Sequence, residues 1–124
     1  MTGYSVTISE TSKELTARAR VAVKDTTNAV SLDDATKGGP LLIDLDYYVA
    51  LDVHNEKSED KDYRKYVVVD KAGTKYVTGS ESFFSSLTEI VDEMDGSGED
   101  FQVEVYRKPS KNYKGKEFLT CSIV

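Results

Sequence analysis

Ile43-Asp44-Leu45-Asp46-Tyr47-Tyr48-Val49-Ala50-Leu51-Asp52-Val53-His54 is the stretch on which the fold turns. Ile43, Leu45, Tyr47, Val49, Leu51 and Val53 alternate with Asp44, Asp46, Tyr48, Ala50, Asp52 and His54. Side chains on a strand point alternately to its two faces, so this period of two predicts a strand buried on one face and wetted on the other. Its length predicts a bend or bulge, because a long strand in a twisted sheet rarely stays straight.

Toward the C-terminus, Asn55 to Asp62 has no apolar residue and predicts a charged turn. Tyr63 to Val69 and Thr74 to Val77 flank Asp70-Lys71-Ala72-Gly73, with glycine where a tight turn wants a positive φ, and predict a β-hairpin. Thr78 with Glu81 three positions on has the form of a capping box, and Phe83, Leu87, Ile90, Val91 and Met94 recur at helical spacing until Gly96-Ser97-Gly98. One amphipathic helix over about Ser80 to Met94 follows. Phe101, Val103 and Val105, then Leu119, Cys121 and Ile123, alternate with polar or aromatic residues and predict two more strands, with Arg107 to Lys116 as the tip between them.

Toward the N-terminus, Tyr4, Val6 and Ile8 alternate with Ser5, Thr7 and Ser9 as in a strand. In Leu15 to Val23 the apolar set again fits period two, which favours a strand with Arg18 and Arg20 on its outer face over a helix opened by Thr11 and Glu14. Asp25 to Gly39 is polar; Ser31, Asp33 and Asp34 suit the start of one short helical turn, and Gly38-Gly39-Pro40 closes the segment. The sum is a single domain over residues 1–124: a β-rich α+β fold with about seven strands in a mainly antiparallel curved sheet or open barrel, and one amphipathic helix.

Composition excludes more than it names. The chain has 124 residues, 39% apolar and 31% charged, with two prolines and one cysteine, as expected of one globular core rather than a disordered or fibrous chain. One cysteine, Cys121, leaves no internal disulfide framework, and its parity with Leu119 and Ile123 makes it a small buried side chain. No apolar run approaches the roughly 20 residues that cross a bilayer, and Met1 to Glu10 lacks a basic start and an apolar stretch, so no membrane association and a cytoplasmic location are expected. No phosphate-binding glycine loop, metal-ligand motif or nucleophile signature is present; the single histidine, His54, falls on the polar strand face. Asp44, Asp46 and Asp52 share that face and could hold Mg²⁺ only with a further acid, whereas a wetted face that resists edge pairing accounts for them as they stand. No enzyme, metal or cofactor is expected.

Charge is unevenly placed within a net of -6. Glu89, Asp92, Glu93, Asp95, Glu99, Asp100 and Glu104 form an acidic block without a base, and Arg107, Lys108, Lys111, Lys114 and Lys116 form a basic block without an acid. With Leu119 and Cys121 facing inward, Phe118 faces outward, and with Val103 and Val105 inward, Tyr106 faces outward too. Tyr106, Tyr113 and Phe118 beside Arg107, Lys108, Lys111, Lys114 and Lys116 offer rings for bases and cations for phosphates, with Arg18 and Arg20 extending the groove if their strand lies alongside. The plainer account is cross-strand packing of Tyr106 on Phe118, with lysines guarding an edge strand.

Tyr76-Val-Thr-Gly-Ser-Glu-Ser-Phe-Phe-Ser-Ser86 and Arg107-Lys-Pro-Ser-Lys-Asn-Tyr-Lys-Gly-Lys-Glu-Phe-Leu-Thr-Cys-Ser-Ile-Val124 resemble stretches of small proteins carried by phages and mobile elements of Gram-positive bacteria. Such elements commonly encode single-stranded DNA-binding proteins of β-barrel type, so the resemblance implies that activity. The chain departs from many bacterial members in ending on a core strand, Phe118 to Val124, instead of an acidic tail with a final aromatic. Two functions are therefore expected: single-stranded DNA or RNA binding through the basic aromatic hairpin, or docking of a protein partner on the acidic block 89–100, as an inhibitor from a mobile element would. The C-terminal strand also offers an edge for a homodimer.

Overall fold

The computed structural model describes residues 4–57, 62–109 and 117–124. In chain order they form β1 (Tyr4–Thr11), α1 (Ala17–Lys24), β2 (Val30–Ser31), α2 (Leu32–Ala35), β3 (Leu41–Ile43), β4 (Leu45–Asn55), β5 (Asp62–Asp70), β6 (Lys75–Thr78), α3 (Glu81–Met94), β7 (Val103–Pro109) and β8 (Glu117–Ile123). The strands make two open sheets, a five-stranded one in the order β1-β4-β5-β6-β2 and a three-stranded one in the order β3-β7-β8. Every pairing is antiparallel except β2 with β6, so the expected β-rich α+β class holds, divided between two sheets.

The alternation from Ile43 to Val53 does not make one strand with one wet face. Asp44 separates β3 from β4, which belong to different sheets. A bulge then falls between Leu45, opposite Asp70, and Tyr47, opposite Val69. An extra residue reverses the facing of everything beyond it. Ile43 and Leu45 accordingly join Tyr48 and Val68 in one core, and Val49, Leu51 and Val53 join Val67 and Val69 in a second core on the opposite side of the five-stranded sheet. Tyr48 and Ala50, expected in water, are buried because α3 and the three-stranded sheet cover that side.

α3 fills the first core. Ser80 is its N-cap, accepting from the Phe83 amide, whereas Thr78, which pairs with Glu81 in the sequence as a capping box would, instead donates from Oγ1 to Asp33. Phe83 and Leu87 are fully buried, and the Phe84 ring stacks on Tyr66 at 4.1 Å and meets Tyr48 edge-on at 5.3 Å. Burying a side chain of Phe83's size contributes about 1.5–3 kcal/mol, so this face anchors the two sheets to each other.

Over Leu15 to Val23 the structure has a helix in place of the favoured strand. Thr16, not Thr11, caps it, accepting from the Ala19 amide, and Lys75 of β6 donates to Ala22 O at 2.9 Å and Asp25 O at 2.7 Å at its other end. Four of the five apolar residues of the period-two set that predicted a strand are alanine or valine within α1, and there only Val23 is buried while Val21 is 72% exposed. Alanine and arginine favour helix, a local preference that prevails where a strand would bury so little. The short helical turn after Ser31 forms as α2, with Ser31 Oγ accepting from the Asp34 amide. The hairpin around Gly73, at φ 91°, also forms.

Candidate nucleic-acid interface

β7 and β8 pair with Tyr106 opposite Thr120, Arg107 opposite Leu119 and Lys108 opposite Phe118. Val103, Val105, Leu119 and Cys121 enter the first core, so the pleat turns Glu104, Tyr106, Lys108, Phe118, Thr120 and Ser122 to the other face. Leu42, opposite Glu104 on β3, joins that face and is 51% exposed; Phe118 is 38% exposed. Tyr106 and Phe118 are diagonal neighbours across the strands, a separation of about 7–8 Å that large rings span. The Tyr106 hydroxyl lies 2.7 Å from Ser122 Oγ, two residues beyond Thr120 and on the opposite diagonal to Phe118, so its ring leans across the sheet away from Phe118.

The structure thus places Tyr106, Lys108 and Phe118 on one face of the three-stranded sheet. Residues 107–109 are strand, not the loop tip they were expected to form. Arg107 points to the other side of β7, where Nε donates to Thr36 Oγ1 at 3.3 Å and Nη2 donates to Asp33 O at the end of α2. A guanidinium against the last carbonyls of a helix is a favourable placement, and it ties α2 to the hairpin. Arg18 and Arg20 lie on α1, whose Val23 packs in the second core, so the five-stranded sheet separates them from the hairpin and they do not extend its groove. Lys111, Tyr113, Lys114 and Lys116 lie outside the described residues.

β8 is an edge of its sheet, and α3 runs beside it. Ser82 Oγ donates to Leu119 O at 2.8 Å, and Ser86 Oγ lies 2.9 Å from Thr120 Oγ1, so part of the edge expected to pair with a second copy is taken by the helix. Beside β7 a recess of about 570 Å³ opens where β3 stops, lined by Lys37, Pro40, Glu104, Tyr106, Arg107 and Glu117 among others. Sequence reading missed Leu42 and counted Glu104 only as part of the acidic block. The one available signal was Leu42's opposite parity to Leu41 and Ile43, which an unbroken apolar run conceals.

The other residues singled out in the sequence stand apart from this face. Asp44 pairs with Lys71 at 3.6 Å, Asp46 with Lys13 at 2.9 Å and Asp52 with Arg64 at 3.0 Å, so the three carboxylates are dispersed on separate cations. Among the described residues no group of three His, Cys, Asp or Glu is placed to hold a metal, and no helix is long and apolar enough to cross a membrane. His54 borders a different cleft of about 500 Å³, with Nδ1 2.7 Å from Asp62 Oδ1 and Nε2 3.4 Å from Glu56 Oε1. Hydrogen bonding to Asp62 first, then to Glu56, raises its pKa above the usual histidine value. Cys121 is buried, and burial pushes its thiol up to about 12, which leaves it protonated and inert at neutral pH. No protein-family model matches the chain, and neither a curated protein nor a solved structure matches it.

Proposed function

We propose that this protein binds single-stranded nucleic acid, DNA by preference, on the outer face of the three-stranded sheet, and that it works as a binding module with no catalytic step. The observation that carries this reading is that Tyr106, Lys108 and Phe118 share one sheet face on which no other described element packs. Aromatic rings on an open sheet accept unstacked bases, and nearby cations draw the phosphates. By sequence, the segment joining β7 to β8 adds Lys111, Lys114 and Lys116 without an acid. Fluorescence anisotropy of a labelled single strand and its duplex tests the reading. Preference for the single strand is expected, with affinity falling as salt rises at a logarithmic slope of about -0.7 per phosphate engaged. No binding at low salt would remove nucleic acid as the ligand.

A second reading has its own support. α3 ends with Asp92, Glu93 and its cap Asp95 and has no base in its last turn, although a helix C-terminus favours cations. All six acids from Glu89 to Asp100 are exposed, as a surface that meets a basic protein partner would require. Charge reversal at Lys108, Lys111 and Lys114 separates the readings: it abolishes strand binding under the first and leaves partner binding intact under the second.

A further inference from the structure

The recess beside β7 carries the proposed function one step further, to the base it selects. β3 makes its last pair toward the hairpin tip at Leu41 with Val105, and the next residue, Pro40, has no N–H to continue the ladder to Tyr106. Gly39, at φ 135°, lies in a region closed to most side chains and turns the chain away. The β7 edge at Tyr106 is therefore left without a strand neighbour among the described residues on the β3 side, and the opening of about 570 Å³ lies there. Its walls do not depend on a ligand to hold them. Arg107 is fastened to Thr36 and Asp33, and Thr36 Oγ1 donates to Leu32 O at 2.8 Å inside α2, which fixes the α2 side. The Tyr106 hydroxyl is fastened to Ser122 on the other.

We propose that this recess is a guanine subsite, with Tyr106 as the stacking surface, Glu104 as the reader of the base edge and Lys37 as a cation for the adjoining phosphate; it rests on the strand-binding reading above. Glu104 is half-buried, precedes Tyr106 by two residues on the same face, and has no hydrogen bond or ion pair among the described residues. Lys37 is exposed, and its 3.2 Å contact with Asp34 on the same exposed turn is a weak tie that a phosphate can replace. A carboxylate only accepts hydrogen bonds. A purely accepting group beside a polyanion costs affinity unless the base meets it with donors. Guanine places two adjacent donors, N1–H and the N2 amino group, on its Watson–Crick edge, matching the two oxygens of one carboxylate. Adenine and cytosine set one amino group beside a ring-nitrogen acceptor. Thymine sets a single N–H between two carbonyls, which repel a carboxylate. The order expected is guanine first and thymine last.

The test compares the intact chain and its Glu104→Ala variant for binding to labelled oligo(dT), to a strand of equal length with every third base guanine, and to that strand with hypoxanthine replacing guanine. Wild-type protein should prefer the guanine strand roughly tenfold, the scale of one good bidentate contact. Removal of the N2 amino group should give an intermediate affinity. Glu104→Ala should erase the preference while holding or raising affinity for oligo(dT), a gain that a merely destabilised sheet would not show. Equal affinity of the wild-type protein for all three strands would overturn the subsite and leave the strand-binding face standing. A preference that survives in Glu104→Ala would overturn the assignment to Glu104. Failure to bind any strand would overturn both proposals.

Discussion

The two sheets use nearly the same residue types to opposite effect. In β4 and β5 of the five-stranded sheet, Tyr48 to Leu51 and Tyr66 to Val69 are buried one after another, because α3 and the smaller sheet cover one side and α1 with its neighbours the other. In β7 and β8 burial alternates: Val103, Val105, Leu119 and Cys121 are covered, and Tyr106, Lys108 and Phe118 look outward. A strand covered on both sides tolerates apolar residues at every position, whereas one covered on a single side should carry polar residues on the other. Rings at Tyr106 and Phe118 on the uncovered side therefore call for an explanation beyond folding, while Tyr48 and Tyr66 need none.

Core truncation should break that contrast most. Phe83→Ala should cost about 3–5 kcal/mol in urea unfolding, because the ring fills the layer between both sheets. Val23→Ala on the α1 side removes two carbons and should cost about 1.5 kcal/mol, at about 0.8 kcal/mol for each buried methylene. Equal costs would mean that the Phe83 side is the more loosely packed, because Phe83→Ala removes more buried carbon than Val23→Ala. On the open face the balance should reverse. Phe118→Ala should leave stability within about 0.5 kcal/mol, as exposed sites usually do. The same change should weaken single-strand binding by about 1–3 kcal/mol. A large stability loss without a binding loss would return Phe118 to the role of a packing residue.

The helix caps give a smaller effect. Thr16→Ala and Ser80→Ala should each cost about 1 kcal/mol by loss of a capped amide. In hydrogen exchange the first should expose α1 alone, which one buried valine holds, and the second should lower protection throughout, because α3 opens only with the core. The smallest expected effect is electrostatic and lies at His54. Its folded pKa stands above the unfolded value, so its contribution to stability is complete below about pH 6.5 and fades as pH rises through the folded value. Denaturation midpoints measured across that window should fall slightly in the wild type and stay flat in His54→Gln. A midpoint that rises with pH through the window would reverse the sign of the His54 interaction.

Legibility in the sequence followed the range of the forces involved. α3 could be read because five apolar residues recur at its own period and Gly96 and Gly98, both at positive φ, end it. The β7–β8 hairpin and the outward facing of Tyr106 and Phe118 followed from period two alone. α1 was misread because alternating alanine and valine satisfy a strand pattern without supplying the buried surface that makes a strand form. Arg107 was placed correctly in the chain and wrongly in space. Its neighbours Tyr106 and Lys108 face outward, and the pleat sends Arg107 to α2, over seventy residues earlier.

By itself the sequence determined the β-rich class, the long helix, the hairpins and the two rings that share the β7–β8 face, since each depends on the spacing of neighbours along the chain. Only the tertiary structure decided that Ile43 and Val49 serve different cores, that α1 is helical, that the arginines leave the hairpin face and that Glu104 borders a recess. The first of those outcomes turns on one extra residue at the β4 bulge, and the last on where β3 stops. A bulge reverses facing without changing the pattern of apolar residues, and only the packing of two sheets against α3 selects where it falls.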